Sequence, residues 1–384
     1  MSPTIGVVGG GQLARMLLPP AARLGLRLVF LARPGDAVAA VWPDVIEGDP
    51  DAQGLRRLAE QVDVLTVEHE LVDLATMRAL QDEGTAVRPS ADTLDIATDK
   101  VRQREVLGAA GVPVAPWTLA HELAGITAFA GDHGWPLVLK RPRGGYDGRG
   151  VWVVEGPDAA EAVLAEVDGD PLLVEPRIAL TAELAVLVAR RPGGERAVYD
   201  PVETVQVDAM CREVLQPPRV AASTVAEARR IGGLVAEVIG SVGMLSVELF
   251  VAGDRVLLNE LAARPHNAGH VTIEGAVTSQ FENHLRAVAD LPLGDPSPRG
   301  AAAMVNVVGG EVDPADRLAD TLGAAPGAAV HLYGKAYRRG RKLGHVTATD
   351  DDLERARTLA VHAADVLTRP AAAIAQPTGQ EATS

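Results

Sequence analysis

The sequence predicts an α/β unit at the N-terminus joined to a larger α+β body. Three observations carry this. Short apolar strand patterns alternate with helical stretches between Thr4 and Val67. Lys140 ends the apolar run Leu137-Val138-Leu139 and is followed by a turn with four glycines and a second strand, Val151-Trp152-Val153-Val154. Farther on, strand patterns at Met244–Phe250 and Val256–Leu261 flank a Gly253-Asp254 turn, and each carries an acid, Glu248 and Glu260.

In the first unit, Thr4-Ile5-Gly6-Val7-Val8 is a strand, and Gly9-Gly10-Gly11-Gln12-Leu13-Ala14 turns into a helix and matches G-x-G-x-x-A. Leu26–Ala32 and Val62–Val67 are further strands, the latter ending at Glu68-His69-Glu70. This alternation implies a parallel sheet with helices on its faces. A dinucleotide site is one reading of the glycine turn. The second strand ends in Arg33-Pro34-Gly35, with no acid for a ribose diol, but Arg33 suits a 2′-phosphate, so an NADP site stays open. Glu68 and Glu70 end a parallel strand, where open α/β sheets bind ligands, and can accept bonds from ribose hydroxyls.

A boundary is expected near residue 97. Thr93–Ala110 has a helix pattern containing Asp99-Lys100, and Val112–Trp117 is held extended by its prolines. In the hairpin that follows, loop N–H groups can close on phosphate oxygens, because glycine has no Cβ to clash. No Walker loop occurs. Asp158–Val167 is helical, Leu172–Ile178 is a strand leaving into a hinge, and Glu183–Ala189 and Ala197–Val207 continue the sheet. The turn at Gly253-Asp254 lets Glu248 and Glu260 face each other with Asn259 beside them. Two carboxylates and an amide oxygen suit a hard cation such as Mg²⁺, which shares its ligands with substrate phosphates. An acid inside an apolar strand is costly to bury unpaired.

The last part starts near Pro296-Ser297-Pro298-Arg299. Ala301–Val308 is a strand ended by Gly309-Gly310, and Val330–Tyr333, Lys335–Arg338 and Gly344–Thr347 form a small β-rich unit. Lys335, Arg338, Arg339, Arg341 and Lys342 make a basic stretch in an otherwise acidic protein. Asp350–Leu367 is a closing helix. The domains expected are 1–97, 98–296 with a lid at about 112–175, and 297–370, followed by a disordered tail at 371–384.

Composition limits the functional classes. At 384 residues the chain can bury a large core and divide into two or three domains. It has 36 Lys plus Arg against 51 Asp plus Glu, a net charge of −15, so no nucleic-acid partner is expected. An anionic substrate must be captured by local basic clusters. One cysteine, Cys211, permits no internal disulfide, suits a reducing cytoplasm and reads as a small buried apolar group. No apolar run is long enough to span a bilayer and no signal core opens the chain, so a cytoplasmic protein without a membrane partner is expected.

The lysine-plus-glycine hairpin and the later Glu…Asn-Glu set resemble the ATP-grasp superfamily. Four segments, in order along almost the whole chain, resemble more narrowly its 5-(carboxyamino)imidazole ribonucleotide synthase family. They are Gly10–Met16, Gly144–Gly150, Asn259–His270 and Gly340–His345. The most specific are the GGYDGRG loop and the NELA-x-R-x-HN-x-GH string. The resemblance implies an ATP-grasp fold with a Rossmann-like preATP-grasp N-terminal domain and a small β-rich C-terminal domain. It implies ATP- and bicarbonate-dependent carboxylation of aminoimidazole ribonucleotide, by carboxyphosphate or the CO₂ it releases, and a homodimer.

The resemblance also assigns residues. Lys100, Lys140, Gly145, Tyr146, Asp147, Gly148, Arg149, Gly150 and Val151 would hold the triphosphate, the loop closing as a lid. Glu175, Pro176, Arg177 and Ile178 would surround the base, largely through backbone groups. Glu183 would take the ribose hydroxyls, and Asn259 and Glu260 would complete the nucleotide site. Glu248 and Glu260 would hold Mg²⁺, or Mn²⁺ in its stead. Gly11, Gln12, Leu13, Glu68 and Glu70 would bind the ribonucleotide from one side, the glycine turn taking its 5′-phosphate. Lys335, Arg341 and Lys342 would hold that phosphate from the other. Arg264, His266 and Asn267 would hold bicarbonate or its phosphorylated form. Tyr146 and Asp147 would face the amine, Asp147 either accepting its proton or orienting it.

The sequence departs from the family pattern at His69 and at Thr204, Gln206 and Met210–Glu213, where Gln206 stands for a nucleotide-contacting His. Three other readings stay open. One is a different ATP-grasp ligase, such as the formate-using glycinamide ribonucleotide transformylase or a biotin carboxylase, although those lack the Tyr-Asp lid and the terminal Gly-Arg-Lys-x-Gly-His string. The others are an NADP oxidoreductase and a nucleotide-binding regulator without turnover.

Overall fold

Three sheets organise the chain, and the computed structural model describes residues 3–144 and 149–370 of it. The first sheet holds β1 (Ile5–Val8), β2 (Leu28–Ala32), β3 (Val45–Glu47), β4 (Val64–Val67) and β5 (Ala86–Val87). All pairings are parallel, in the order β3-β2-β1-β4-β5. β1, β2 and β4 are buried along their whole length, which is why they read as unbroken apolar runs. The strand order reverses between β1 and β4, so the Gly9–Leu13 turn and Glu68 meet at that switch point.

The second sheet is antiparallel and small. It comprises β6 (Thr118–Ala120), β7 (Leu137–Lys140), β8 (Val151–Val154) and β9 (Leu172–Pro176), in the order β6-β9-β7-β8. The helices Leu123–His133 and Pro157–Glu166 cover it over a core of Ile126, Leu137, Leu139, Val163, Leu172 and Val174.

The third sheet contains β10 (Ala182–Arg190), β11 (Arg196–Val198), β12 (Val202–Val207), β13 (Met210–Gln216), β14 (Gly243–Ala252), β15 (Arg255–Ala262), β16 (Ala301–Val308), β17 (Ala328–Leu332) and β18 (Lys342–Asp350). Its order is β15-β14-β10-β12-β13-β16-β18-β17, with β11 on β10. The sheet runs without interruption across residue 297, because β13 pairs with β16. The helix Ala222–Val238 packs Ile231 and Val235 into a core shared by the first and third sheets.

Several local expectations are corrected. The pattern 93–110 is two helices, Ala91–Ala97 and Lys100–Ala109, because Asp99 caps the second by accepting from the Val101 and Arg102 N–H groups. The stretch 197–207 is two strands, and Met210–Gln216 is the return strand of a tight hairpin whose Asp208 and Ala209 sit at φ 51° and 57°. Lys335–Arg338 is loop rather than strand. The tail 371–384 lies outside the described residues. Among those described, no helix is long and apolar enough to cross a membrane.

Candidate active site

The β14–β15 hairpin sets Glu248 directly opposite Glu260. Both carboxylates already have nitrogen partners: Lys100 Nζ is 3.0 Å from Glu260 Oε2, and His266 Nε2 is 3.1 Å from Glu248 Oε1. Burial would raise the Glu248 carboxyl. The His266 hydrogen bond, with the charges of His266, Arg264 and Lys100, outweighs burial and holds it below its ordinary value. In the adjacent β10, Ala185 lies opposite Glu248, so Glu183 projects from the same face two residues away. Burial, reinforced by the charge of Glu248, pushes the Glu183 carboxyl up to about 7.

A raised carboxyl in the folded state contributes stability below the ordinary carboxylate range and loses it as pH rises through about 7. Glu183→Gln copies the protonated form. Its melting temperature should match the parent at pH 5 and exceed it at pH 8; the same gap at both would show Glu183 ionised throughout.

Among the described residues, no cluster of three or more His, Cys, Asp or Glu could hold a metal by itself. Glu248, Glu260 and Asn259 nevertheless fit Mg²⁺: all offer oxygen, and a two-carboxylate set leaves positions for phosphate and water.

Lys140, at the end of β7, meets the third sheet. Its Nζ is 2.7 Å from Glu175 Oε2 on neighbouring β9 and 3.5 Å from Asn259 Oδ1 on β15. Arg104, from the helix after Asp99, donates from Nε to Glu175 Oε1 at 2.8 Å. Burial alone would raise the Glu175 carboxyl, but the charges of Arg104 and Lys140 hold it below the usual range. The Glu175 carboxylate is thus consumed internally. Pro176 ends β9, and half-buried Ile178 follows in the hinge. Arg177 turns outward, 3.6 Å from Glu155. The base of the glycine loop is pinned: Lys100 N–H donates to the Pro142 carbonyl at 2.9 Å, and Arg143 reaches Asp99 and Asp95 at 3.0 and 2.7 Å. Val151 pairs with Lys140 on the far side, next to Gly150 at φ 71° and Arg149. Gly145, Tyr146, Asp147 and Gly148 lie outside the described residues.

After β15, Arg264 donates from Nε to Glu70 Oε2 at 2.6 Å. The Gln280 side chain clamps the His266 backbone, accepting from its N–H at 2.9 Å and donating to its carbonyl at 2.8 Å. A side chain at position 269 would collide with that Gln280 amide, so the G of N-x-GH is a close-approach glycine. Asn267 exchanges hydrogen bonds with Asn306 of β16.

The Gly11 and Leu13 N–H groups, expected to hold a substrate phosphate, donate here to the Glu68 carboxylate, at 2.6 and 3.0 Å. The helix N-terminus favours any anion, and an internal one supplies it. Each Glu68 oxygen thus accepts from the glycine turn, and Glu70 is engaged by Arg264. What faces outward here is Gln12, whose Oε1 accepts from Lys335 Nζ, with Arg15 packed against Gly334 beside it. Lys342 starts β18, whereas the half-buried Arg341 donates to the Ala336 carbonyl of its own loop at 3.1 Å. Gln206 lies opposite Cys211 beyond a bulge in β12.

Sequence reasoning missed Arg104, Arg15, Gln280 and Asn306. Two of them left a signal: Arg104 falls on the buried face Gln103-Arg104-Leu107 of its helix, and Asn306 interrupts an apolar strand.

A lysine on an antiparallel lid sheet, set against a carboxylate pair on a second sheet, defines an ATP-grasp protein. The ATP-grasp domain family matches residues 105–281, the ribonucleotide synthetase preATP-grasp domain matches 1–98, and the phosphoribosylaminoimidazole carboxylase C-terminal domain matches 302–358. The chain is 44% identical over 366 residues to an N5-carboxyaminoimidazole ribonucleotide synthase of Mycobacterium bovis, covering 92% of this chain and 85% of that one. It is 39% identical over 353 residues to that of Synechococcus elongatus, covering 89% and 88%. The crystal structure of N5-carboxyaminoimidazole synthase from Aspergillus clavatus in complex with ADP and 5-aminoimidazole ribonucleotide matches with TM-score 0.88 at 32% identity, over 95% of this chain and 98% of that one. The chain belongs to the N5-carboxyaminoimidazole ribonucleotide synthase family.

Proposed function

We propose that this protein is a carbon–nitrogen ligase of purine biosynthesis. It carboxylates the exocyclic amine of 5-aminoimidazole ribonucleotide with bicarbonate and splits ATP to ADP and phosphate. The observation that carries this reading is the single connected set Lys140–Asn259, Lys100–Glu260 and Glu248–His266, which joins a phosphate-binding lysine to a cation-ready hairpin.

A bicarbonate oxygen attacks the γ-phosphorus of ATP, and the bond to the ADP oxygen breaks. The amine nitrogen then attacks the carboxyl carbon of the carboxyphosphate, or the CO₂ it releases; phosphate departs and the amine loses a proton. Phosphoryl transfer demands positioning and charge neutralisation more than covalent help. Lys140, steered by Glu175, and Lys100 supply cations to the phosphates. Glu248 and Glu260, with Asn259, would hold Mg²⁺ or Mn²⁺, which when bound neutralises charge on the transferring phosphoryl group. Arg264 offers a planar fork suited to bicarbonate, its own orientation set by Glu70. His266 and Asn267 flank it. Gln12 and Lys335, with Arg15 and Lys342 nearby, support a phosphate pocket for the ribonucleotide made of side chains rather than glycine-turn amides. A cytoplasmic homodimer belongs to the same reading, and a sedimentation mass of two chains checks it.

The test is ADP formation measured with and without bicarbonate and aminoimidazole ribonucleotide. Dependence on both is expected; equal turnover without either, or turnover with formate and glycinamide ribonucleotide instead, would overturn the proposal. Lys335→Ala should raise the ribonucleotide KM by about tenfold through loss of one charged contact, with the ATP KM within about twofold. Equal effects on both would remove the C-terminal loop from the substrate site.

A further inference from the structure

Three strands of the C-terminal half present a row of polar side chains. Asn306 of β16 is paired in register with His345 of β18, and His345 with His331 of β17. Across that row lies the turn that follows Arg264, a 3₁₀ segment (Asn267–Val271) continued by the short helix Thr272–Gly275. The turn sets one polar residue on each member of the row. Asn267 exchanges hydrogen bonds with Asn306 at 2.9 and 2.8 Å. The His270 ring lies 4.9 Å from that of His345. Glu274 Oε1 is 2.8 Å from His331 Nε2. The spacing 267, 270, 274 is that of one helical face, so the turn is seated along its length.

The first rung carries chemical information that the other two do not. Asn306 is 4% exposed, and its amide is fully specified. One N–H goes to Asn267 Oδ1 and the other to the Cys211 carbonyl at 3.0 Å, while its Oδ1 accepts from Asn267 Nδ2. The Cys211 carbonyl only accepts, so it fixes which end of the Asn306 amide carries the N–H groups. That choice fixes the Asn267 amide in turn: its oxygen and one N–H are spent on Asn306, and its second N–H points out of the pair.

We propose that Asn306 is a positioning residue for carboxyl transfer, holding the Asn267 amide so that its outward N–H donates to an oxygen of the phosphorylated bicarbonate. This rests on the functional reading above. Removing Asn306 would let the Asn267 amide rotate and present an oxygen to an anion.

The experiment measures ADP and carboxylated ribonucleotide together in Asn306→Asp, Asn306→Ala, Asn267→Ala and the Asn306→Ala/Asn267→Ala double variant. Asn306→Asp keeps side-chain volume and the acceptor but loses both N–H groups, so it gives a reading even where Asn306→Ala fails to fold. Either single change at Asn306 should lower carboxylated product by about tenfold and raise ADP formed per product, with the ATP KM within about twofold. On the Asn267→Ala background, Asn306→Ala should add less than about a twofold loss, because residues acting as one unit are not additive. A folded Asn306→Asp enzyme with unchanged product and coupling would overturn the inference, as would a full independent loss in the double variant. A parent enzyme indifferent to bicarbonate would overturn the functional reading and this inference with it, an outcome separable from an active parent that tolerates Asn306→Asp.

Discussion

Glu260→Ala is expected to reduce ATP turnover by about a thousandfold, the scale on which a preorganised charge partner of a transition state is lost. Glu260 faces Glu248 across the hairpin and has Lys100 on its outer oxygen at 3.0 Å. Its removal deletes one of two carboxylates able to hold the cation and leaves Lys100 to reorient. The side chain is 38% exposed, so truncation opens no cavity, and the melting temperature should stay within a few degrees of the parent. ADP release at saturating ATP tests the first half, and calorimetric titration with Mg²⁺ and ADP tests the cause. ADP should still bind, but Mg²⁺ should no longer tighten it. Near-normal turnover would take the hairpin out of the chemistry.

The second large effect is on stability. Glu175→Gln should destabilise the protein by about 3–5 kcal/mol, because it strands two buried cations. The Arg104 and Lys140 side chains are 1% and 8% exposed, and Glu175 is their shared counter-ion. A fall of about 10 °C in the first melting transition is expected at pH 7. The sign with pH follows from the lowered carboxyl. Its contribution is present above the ordinary carboxylate range and lost as pH falls through the folded-state value, so the gap between variant and parent should narrow in acid. A gap that stays constant or widens as the pH is taken from 7 to well below the ordinary carboxylate range would refute the charge explanation. Arg104→Met is the milder companion, since it leaves Glu175 paired with Lys140.

What could be read from the residues was mostly local in sequence. The unbroken apolar runs of β1, β2 and β4 and the tight turn joining β14 to β15 announce themselves within short windows, and the face-to-face acids follow from that turn. The relations that escaped join distant segments. Arg104 and Glu175 meet across 71 positions, and Asn267 and Asn306 across 39. The capture of the glycine turn by Glu68 spans 57 positions and shows a limit of motif reading: a loop shaped for an anion takes whichever anion is nearest, including one of its own. The join of β13 to β16 left no mark either, because an edge strand and a central strand read alike when both alternate.

That join has a consequence for the protein as an evolving object. A chain cut at 297 would not be a smaller ligase missing an accessory module. β13 would be left with a bare rim of unpaired N–H and C=O groups between Glu213 and Gln216, a template for sticking to other chains. The C-terminal strands are therefore not a detachable cassette that could be shuffled between relatives; they have to be inherited together with the β-strand they cover.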